Sequence, residues 1–91
     1  MLILVSYDVP DDRRRTRLAH TLKDFGPRVQ YSVFECLLAE DQVADLRARV
    51  AKLIDPAEDS VRIYRLCAGC AERVEILGLG KLTEDPEILL L

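Results

Sequence analysis

The sequence contains little glycine or proline, four residues of each among 91, and no linker is visible along the chain. Apolar residues make up 49% of it and charged residues 32%, which is typical of an ordinary folded protein and not of a disordered one. A chain of this length forms one domain near the small end of the usual range, with a marginal core. We therefore expect a single domain over residues 1–91 that gains stability by pairing.

Long hydrophobic runs are missing as well. No stretch of roughly 18 or more uncharged apolar residues is present, so no membrane-spanning helix is expected. Met1 leads directly into an apolar segment without the basic region that opens a signal peptide. We expect a cytoplasmic protein without a membrane partner.

Cysteine and histidine are too few for a complete zinc site, which needs about four ligands. The three cysteines are an odd, scattered set, which argues against a disulfide framework. Cys67 and Cys70 have CxxC spacing, but Cys36 lies far from them and His20 is the only histidine. We favour thiols without a metal, with a redox role or a shared metal site as the alternative, and we interpret His20 as a surface residue.

Basic residues are outnumbered over the whole chain, since 13 Lys and Arg stand against 16 Asp and Glu for a net charge of −3. Such an acidic balance normally argues against a nucleic-acid partner. The positive charge is nevertheless concentrated between Arg13 and Arg28, where six basic residues accompany a single acid, Asp24. Charges more than about 8 Å away are largely screened at physiological salt. This segment can therefore bind phosphate although the whole molecule is acidic.

The first third of the chain predicts a strand followed by a helix. Residues 2–5, LILV, are a continuous apolar run typical of a strand that is central in its sheet. Pro10 ends the strand, and Asp11 or Asp12 is suited to cap the helix that follows. The buried face of this helix consists of Leu18, Leu22 and Phe25.

The middle of the chain predicts two strands and a second helix. Residues 28–38 have extended character, and a kink at Tyr31–Ser32 would divide them into two strands. The second helix begins in Glu40–Asp41, and its spacing pairs Asp45 with Arg49 on the outer face. Its buried residues are Val43, Leu46, Val50 and Leu53.

The last third completes a βαββαβ order. Residues 60–66 alternate as a strand with one wet face, and residues 73–79 predict a further short strand. This order predicts an α+β, ferredoxin-like two-layer sandwich with an extra C-terminal strand. Unpaired edges and terminal leucines are liabilities that a partner subunit can cover. We therefore predict a homodimer in which the tail, residues 80–91, packs on the partner's sheet.

Asp8 ends the first strand directly before the arginine-rich segment. The ordinary interpretation is a carboxylate that accepts hydrogen bonds from the turn. The alternative is a metal ligand, because Mg²⁺ prefers oxygen ligands and accepts phosphate as a co-ligand. One aspartate is too few, so a two-fold axis would have to bring Asp8 from two protomers to one ion. We interpret Asp11 and Asp12 as helix caps.

Arginine side chains near Asp8 are candidate phosphate ligands, with a solvated helix face as the alternative. Guanidinium groups bind phosphate oxygens in bidentate fashion and carry no base specificity when they contact the backbone. The candidates are Arg14, Arg15, Arg17 and Arg28. We interpret Tyr31, Phe34 and Tyr64 as core or interface residues and not as platforms for base stacking.

Three segments resemble the CRISPR-associated protein 2 family. They are SYDVPDDRRRTRL at residues 6–18, GPRVQYSVFEC at residues 26–36 and DSVRIYRLCAGC at residues 59–70, in the order and spacing of that family. The resemblance covers nearly the whole chain, and residues 80–91 match least.

This resemblance implies a ferredoxin-like homodimer in which Asp8 binds Mg²⁺ at the two-fold axis. It implies a metal-dependent endonuclease of CRISPR spacer acquisition and antiviral defence, acting on single-stranded RNA or double-stranded DNA. The alternative is a non-catalytic DNA-binding scaffold that bridges two dimers of the CRISPR integrase. Family positions linked to activity or to the order of the site are matched by Tyr7, Arg15, Arg17, Arg28 and Phe34, with Ser32 as a further supporting residue.

Overall fold

The computed structural model describes residues 1–83, which form one four-stranded antiparallel sheet with two main helices on it. The strands are β1 (Leu2–Asp8), β2 (Arg28–Gln30), β3 (Val33–Leu37) and β4 (Ser60–Leu66), and the helices are α1 (Asp12–Leu22), α2 (Glu40–Ala51) and α3 (Ala68–Ala71). The sheet order is β2–β3–β1–β4. Each main helix joins a central strand to an edge strand, which is the ferredoxin-like arrangement. The predicted fold class and the central position of β1 are confirmed.

Local signals place the start of α1 next to the end of β1. Pro10 cannot donate a backbone hydrogen bond to a neighbouring strand. Asp11 is the N-cap of α1, and its carboxylate accepts a hydrogen bond of 2.8 Å from the backbone N–H of Arg14. Asp12 lies in the first turn, where a negative charge favours the helix dipole. The arginine-rich first turn therefore lies beside Asp8.

The core lies between one face of the sheet and the helices α1 and α2. From β1, Ile3 and Val5 are fully buried on this face. The buried cluster is completed mainly by Leu18 and Leu22 of α1, Phe34 and Cys36 of β3, and Val43, Leu46 and Val50 of α2. Burying one apolar face of a sheet against the apolar stripes of two helices is the two-layer solution. In the described residues, no helix is long and apolar enough for a membrane span.

The opposite face of the sheet carries no helix within residues 1–83. On β1 this face includes Leu4, which pairs with Glu35 of β3 and with Tyr64 of β4. The segment after α3 returns to this face, since Thr83 donates hydrogen bonds of 3.1 Å and 2.8 Å to the Glu35 carboxylate from its N–H and Oγ1. The helix-free face is thus partly covered by the chain's own C-terminal segment.

The predicted strand over residues 73–79 is wrong. After α3 the chain has no strand up to residue 83, and Gly78 and Gly80 have φ angles of 94° and 109°. Leu77 and Leu79 are almost fully exposed. A strand needs a neighbour that satisfies its backbone groups, and the described part of the chain supplies none here. Residues 84–91 lie outside the described residues, so the packing of the tail on a partner stays a prediction.

Two expectations about the helices also need correction. Phe25 and Leu53 lie beyond the ends of α1 and α2 and are half-buried, because both helices are shorter than the apolar spacing indicates. Arg49 does not pair with Asp45. Its Nη2 donates to Asp24, at the far end of α1, over 2.8 Å. Asp24, just after the end of α1, is thus the partner of Arg49 in place of Asp45.

Candidate functional site

Asp8 is the last residue of β1 and is exposed at the rim of the sheet. In the register of the sheet it pairs with Ser60 of β4, and Ser6 pairs with Arg62, so these residues share the helix-free face. A shallow hollow of about 260 Å³ here is lined by Ser6, Tyr7, Asp8, Ser60, Arg62 and Tyr64. The Asp8 carboxylate is therefore accessible to an ion, a phosphate or a second molecule.

The donor set around Asp8 suits a loosely held hard cation. Within residues 1–83, no group of three or more Asp, Glu, His or Cys residues could hold a metal ion. Mg²⁺ usually keeps several waters and is bound by one or two carboxylates plus substrate phosphates. Asp8 therefore fits a Mg²⁺ ion when a phosphate or a second protomer supplies further oxygen ligands.

A basic cleft of about 340 Å³ lies between α1 and the start of β2. Its lining consists of Tyr7, Arg15, Thr16, Ala19, His20, Lys23, Arg28 and Tyr31. Three of these side chains are lysine or arginine, and among the described residues that line the cleft none is acidic. The cleft can therefore hold an anion although the whole chain has a net charge of −3.

A third hollow connects the Asp8 rim to the basic cleft. Its lining includes Asp8 of the rim and Arg15 and Tyr31 of the cleft, together with Ser32 and Tyr7. Because the three hollows share lining residues, the exposed carboxylate and the basic side chains belong to one continuous surface. Arg15 is the basic residue that lines both the cleft and the hollow that contains Asp8.

Tyr7, Ser32 and Phe34 support this surface from below. The Tyr7 hydroxyl donates to the carbonyl oxygen of Tyr31 at 3.4 Å, and the Tyr7 N–H donates to that of Ser32 at 3.1 Å. The ring centroids of Tyr7 and Phe34 are 6.3 Å apart. The guanidinium carbon of Arg28 lies 5.5 Å from the centroid of the Phe34 ring. These contacts hold the β2–β3 turn and Arg28 beside the end of β1.

Arg15 is held at the boundary between the rim and the cleft. Its Nη1 donates to the carbonyl oxygens of Val9 and Pro10 at 3.0 Å and 3.3 Å, and its Nη2 pairs with Asp12. The hydrogen bond to Asp12 raises the pKa of Arg15 above its ordinary value. The guanidinium is therefore charged, and the chain following β1 positions it.

Arg14 points away from the cleft and binds the loop before β4. Its Nε and Nη2 donate to the Asp59 carboxylate at 2.8 Å and 3.1 Å, and Nη2 also donates to Glu58 at 2.9 Å. Arg17 is exposed on α1 and is not part of the cleft lining. Of the four predicted arginines, the structure thus brings Arg15 and Arg28 together in the basic cleft, and Arg15 also lines the hollow that contains Asp8.

The sequence interpretation missed several residues of this surface. Lys23 and His20 line the cleft, and the spacing of Arg15, Ala19 and Lys23 at i, i+4 and i+8 could have indicated the first of them. Ser60 lies opposite Asp8 only because of the strand register, for which the sequence carries no signal. His20 is exposed, as expected, but it faces this cleft.

Comparison with known proteins identifies the family. The family model for CRISPR associated protein Cas2 matches residues 1–74. A CRISPR-associated endoribonuclease Cas2 from Chloroflexus aurantiacus is 48% identical over 94% of this chain and 92% of its own length. A CRISPR-associated endonuclease Cas2 from Thermus thermophilus is 49% identical over 99% of this chain and 96% of its own length.

Solved structures of relatives have the same fold. Streptococcus pyogenes Cas2 matches with a TM-score of 0.75 and 38% identity, over 86% of this chain and all of that chain. A chain in a partial Cas6-RT-Cas1–Cas2 complex matches with a TM-score of 0.73 and 29% identity, over 84% of this chain and 89% of that one. The segments at residues 6–18, 26–36 and 59–70 and the observed sheet order agree with these matches, and the chain belongs to the CRISPR-associated protein Cas2 family.

Proposed function

We propose that this protein is a CRISPR endonuclease of spacer acquisition that hydrolyses phosphodiester bonds with Mg²⁺ bound at Asp8. The observation that supports it most is the continuous surface joining the exposed Asp8 carboxylate to Arg15 and Arg28. The two curated relatives described above are named endoribonuclease and endonuclease, and this chain spans nearly their whole length. The proposed substrate is single-stranded RNA or double-stranded DNA.

The chain's own residues would bind and orient the nucleic-acid backbone. Arg15 and Arg28 present guanidinium groups that can donate paired hydrogen bonds to phosphate oxygens. The carbonyl oxygens of Val9 and Pro10 hold Arg15, and the Phe34 ring supports Arg28. A Mg²⁺ ion bound at Asp8 would polarise the phosphodiester and lower the pKa of a coordinated water. In this proposal the arginines bind the phosphate backbone, and Asp8 holds the ion that would stabilise the charge developing during hydrolysis.

A homodimer is part of this proposal. Asp8 is the one carboxylate in the lining of its hollow, whereas nucleases commonly use more ligands around their ions. The hollow lies on the face of the sheet that carries no helix within residues 1–83. A two-fold axis through this rim would bring the Asp8 carboxylates of both protomers to one ion.

Substitution of Asp8 tests the catalytic proposal. Asp8→Asn removes the charge of one exposed carboxylate and keeps its size. We expect Mg²⁺-dependent cleavage of single-stranded RNA and double-stranded DNA to fall to the level measured in EDTA, with nucleic-acid affinity unchanged. Asp11→Asn is the matched control, because asparagine caps a helix as well as aspartate does, and it should cleave normally. Full cleavage by Asp8→Asn would contradict the assignment of the metal to this residue.

The second candidate is a non-catalytic dimeric scaffold that binds DNA and bridges integrase dimers. It is favoured by the small donor set around Asp8 within residues 1–83 and by the match to a chain of a partial Cas6-RT-Cas1–Cas2 complex. Spacer integration measured with the integrase separates the two candidates. The scaffold predicts that Asp8→Asn integrates normally while Arg15→Ala with Arg28→Ala does not. Loss of integration in Asp8→Asn would instead show that the carboxylate is needed.

A further inference from the structure

Two of the three cysteines lie together on the surface, away from the candidate nuclease site. Cys67 and Cys70 are both exposed free thiols, at the start and inside the single turn of α3. This turn follows Leu66, which pairs with Leu2, whereas Asp8 pairs with the other end of β4. Six residues of strand separate the two ends, which is about 20 Å at 3.3 Å per residue. The thiol pair is therefore independent of the Asp8 surface.

The backbone of α3 places the Cys67 sulfur atom in contact with the backbone N–H of Cys70. Cys67 precedes the turn with extended backbone angles, φ −67° and ψ 166°, and its Sγ accepts a hydrogen bond of 3.4 Å from the Cys70 N–H. Side chains three positions apart on a helical turn have Cβ atoms about 5–6 Å apart, and a disulfide requires about 3.5–4.5 Å. A small closure of the turn is thus sufficient.

The residues between the cysteines leave room for that closure. Ala68 and Gly69 are the smallest residue types, and both are exposed. A Cβ atom added at Gly69 would meet only the Cys67 Sγ, at 4.0 Å. The space beside Gly69 is therefore free of bulky neighbours.

The two thiols differ in acidity in the manner of an attacking and a resolving thiol. The hydrogen bond from the Cys70 N–H lowers the pKa of Cys67, and the neighbouring Cys67 sulfur raises the pKa of Cys70. Cys67 is therefore the better source of thiolate, which is the nucleophile in thiol chemistry. Cys36 provides the contrast, because burial raises its pKa to about 11.

We propose that Cys67 and Cys70 form a thiol–disulfide exchange site that takes low-molecular-weight disulfides such as glutathione disulfide. The Cys67 thiolate attacks one sulfur of the small disulfide, whose S–S bond breaks, and one small thiolate leaves. Cys70 then loses its proton, and its sulfur attacks the Cys67 Sγ. The intramolecular S–S bond forms as the second small thiolate leaves. The protein dithiol is oxidised, and the small disulfide is reduced to two thiols.

Mass spectrometry of the full-length protein tests this site. The reduced protein is incubated with glutathione disulfide without oxygen, then denatured and alkylated with iodoacetamide. We expect one alkylated cysteine, Cys36, where the untreated protein has three, and a chain lighter by two hydrogens before alkylation. Dithiothreitol should restore all three alkylation sites.

Single variants identify the roles of the two thiols. Cys70→Ser should stop at a stable glutathione adduct on Cys67, because the resolving thiol is missing. Cys67→Ser should react at least about threefold more slowly than Cys70→Ser, because the Cys67 sulfur, which the remaining Cys70 thiol does not replace, is the one that accepts the backbone hydrogen bond favouring a thiolate. Three alkylated cysteines after treatment, a disulfide between two chains, or equal rates for the two variants would each overturn the proposal. The double serine variant should keep its nucleic-acid cleavage, so this test is separate from that of Asp8.

Discussion

Gly26 lies where the chain turns from α1 into β2 and passes close to β3. A Cβ atom at this position would lie 2.3 Å from the carbonyl oxygen of Glu35 and 2.8 Å from the Cα of Cys36. Both are backbone atoms of a strand that is paired on both sides. Neither can move without displacing the sheet, so the close approach requires glycine.

Gly26→Ala should therefore destabilise the fold. Overpacking against backbone costs about 1–3 kcal/mol or more, so we expect the free energy of unfolding measured by urea titration to fall by at least about 1 kcal/mol, with a lower urea midpoint. Gly69→Ala is the matched control, because open space surrounds Gly69 and alanine is favoured in a helical turn. Equal midpoints for the two variants would contradict this account of Gly26.

At the scale of elements, one ion pair joins α1 to the loop before β4. The Asp59 side chain is fully buried and accepts hydrogen bonds from Arg14 and from the backbone N–H of Asp55 at 2.8 Å. Asp59 directly precedes Ser60, which pairs with Asp8. Arg14 thus holds the start of β4 beside the end of β1, and this role engages guanidinium donors that would otherwise be available to phosphate.

The pH dependence of stability tests this pair. Hydrogen bonds from Arg14 lower the pKa of Asp59 below its ordinary value of 3.8. A carboxylate with a lowered pKa in the folded state contributes stability above its unfolded pKa and loses it as pH falls through the folded one. As the pH is lowered below about 4, the thermal midpoint should therefore decrease more steeply in the native protein than in Asp59→Asn.

The same variant should also be less stable at pH 7, because a neutral amide replaces the buried charge that Arg14 binds. Asp45→Asn on the exposed side of α2 serves as the control and should follow the native curve. If the thermal midpoints of the native protein and of Asp59→Asn coincide at every pH between 3 and 7, the pair contributes nothing to stability.

At the scale of the whole molecule, a net charge of −3 coexists with a cleft lined by three lysine and arginine side chains. Distant acids are screened at physiological salt, so the local charge governs binding of a polyanion. Arg28 and Lys23 come from β2 and the end of α1. The fold therefore gathers positive charge in the cleft, although the composition of the whole chain is acidic.

Affinity for single-stranded RNA should fall steeply as salt concentration rises, because bound phosphates release counterions. Arg28→Ala should weaken binding for all sequences and reduce the slope of log K against log salt by about 1. Arg47→Ala on α2 removes the same charge outside the cleft and should leave the slope unchanged. Equal slopes for Arg28→Ala and the native protein would exclude a phosphate contact at this residue.

Sequence patterns predicted most elements of the fold and the position of Asp8 at the end of the first strand. The alternation over residues 60–66, the cap at Asp11 and the break at Tyr31–Ser32 depend on near neighbours, and the structure confirms them. The roles of Asp8 and of the arginines in catalysis and binding stay predictions. Residues 73–79 show the limit, because an apolar segment becomes a strand only where another strand is available to pair with it.

Such local patterns could not predict contacts between residues that are far apart in the sequence. Ser60 opposite Asp8 and Asp59 with Arg14 connect residues that are distant along the chain, and the cleft joins Arg28 of β2 to Arg15 of α1. Periodicity and capping report interactions within about one turn or one strand, so they define elements and their buried faces. Which side chains meet across elements follows from how those faces pack and in what register, and that depends on the burial of the entire core at once.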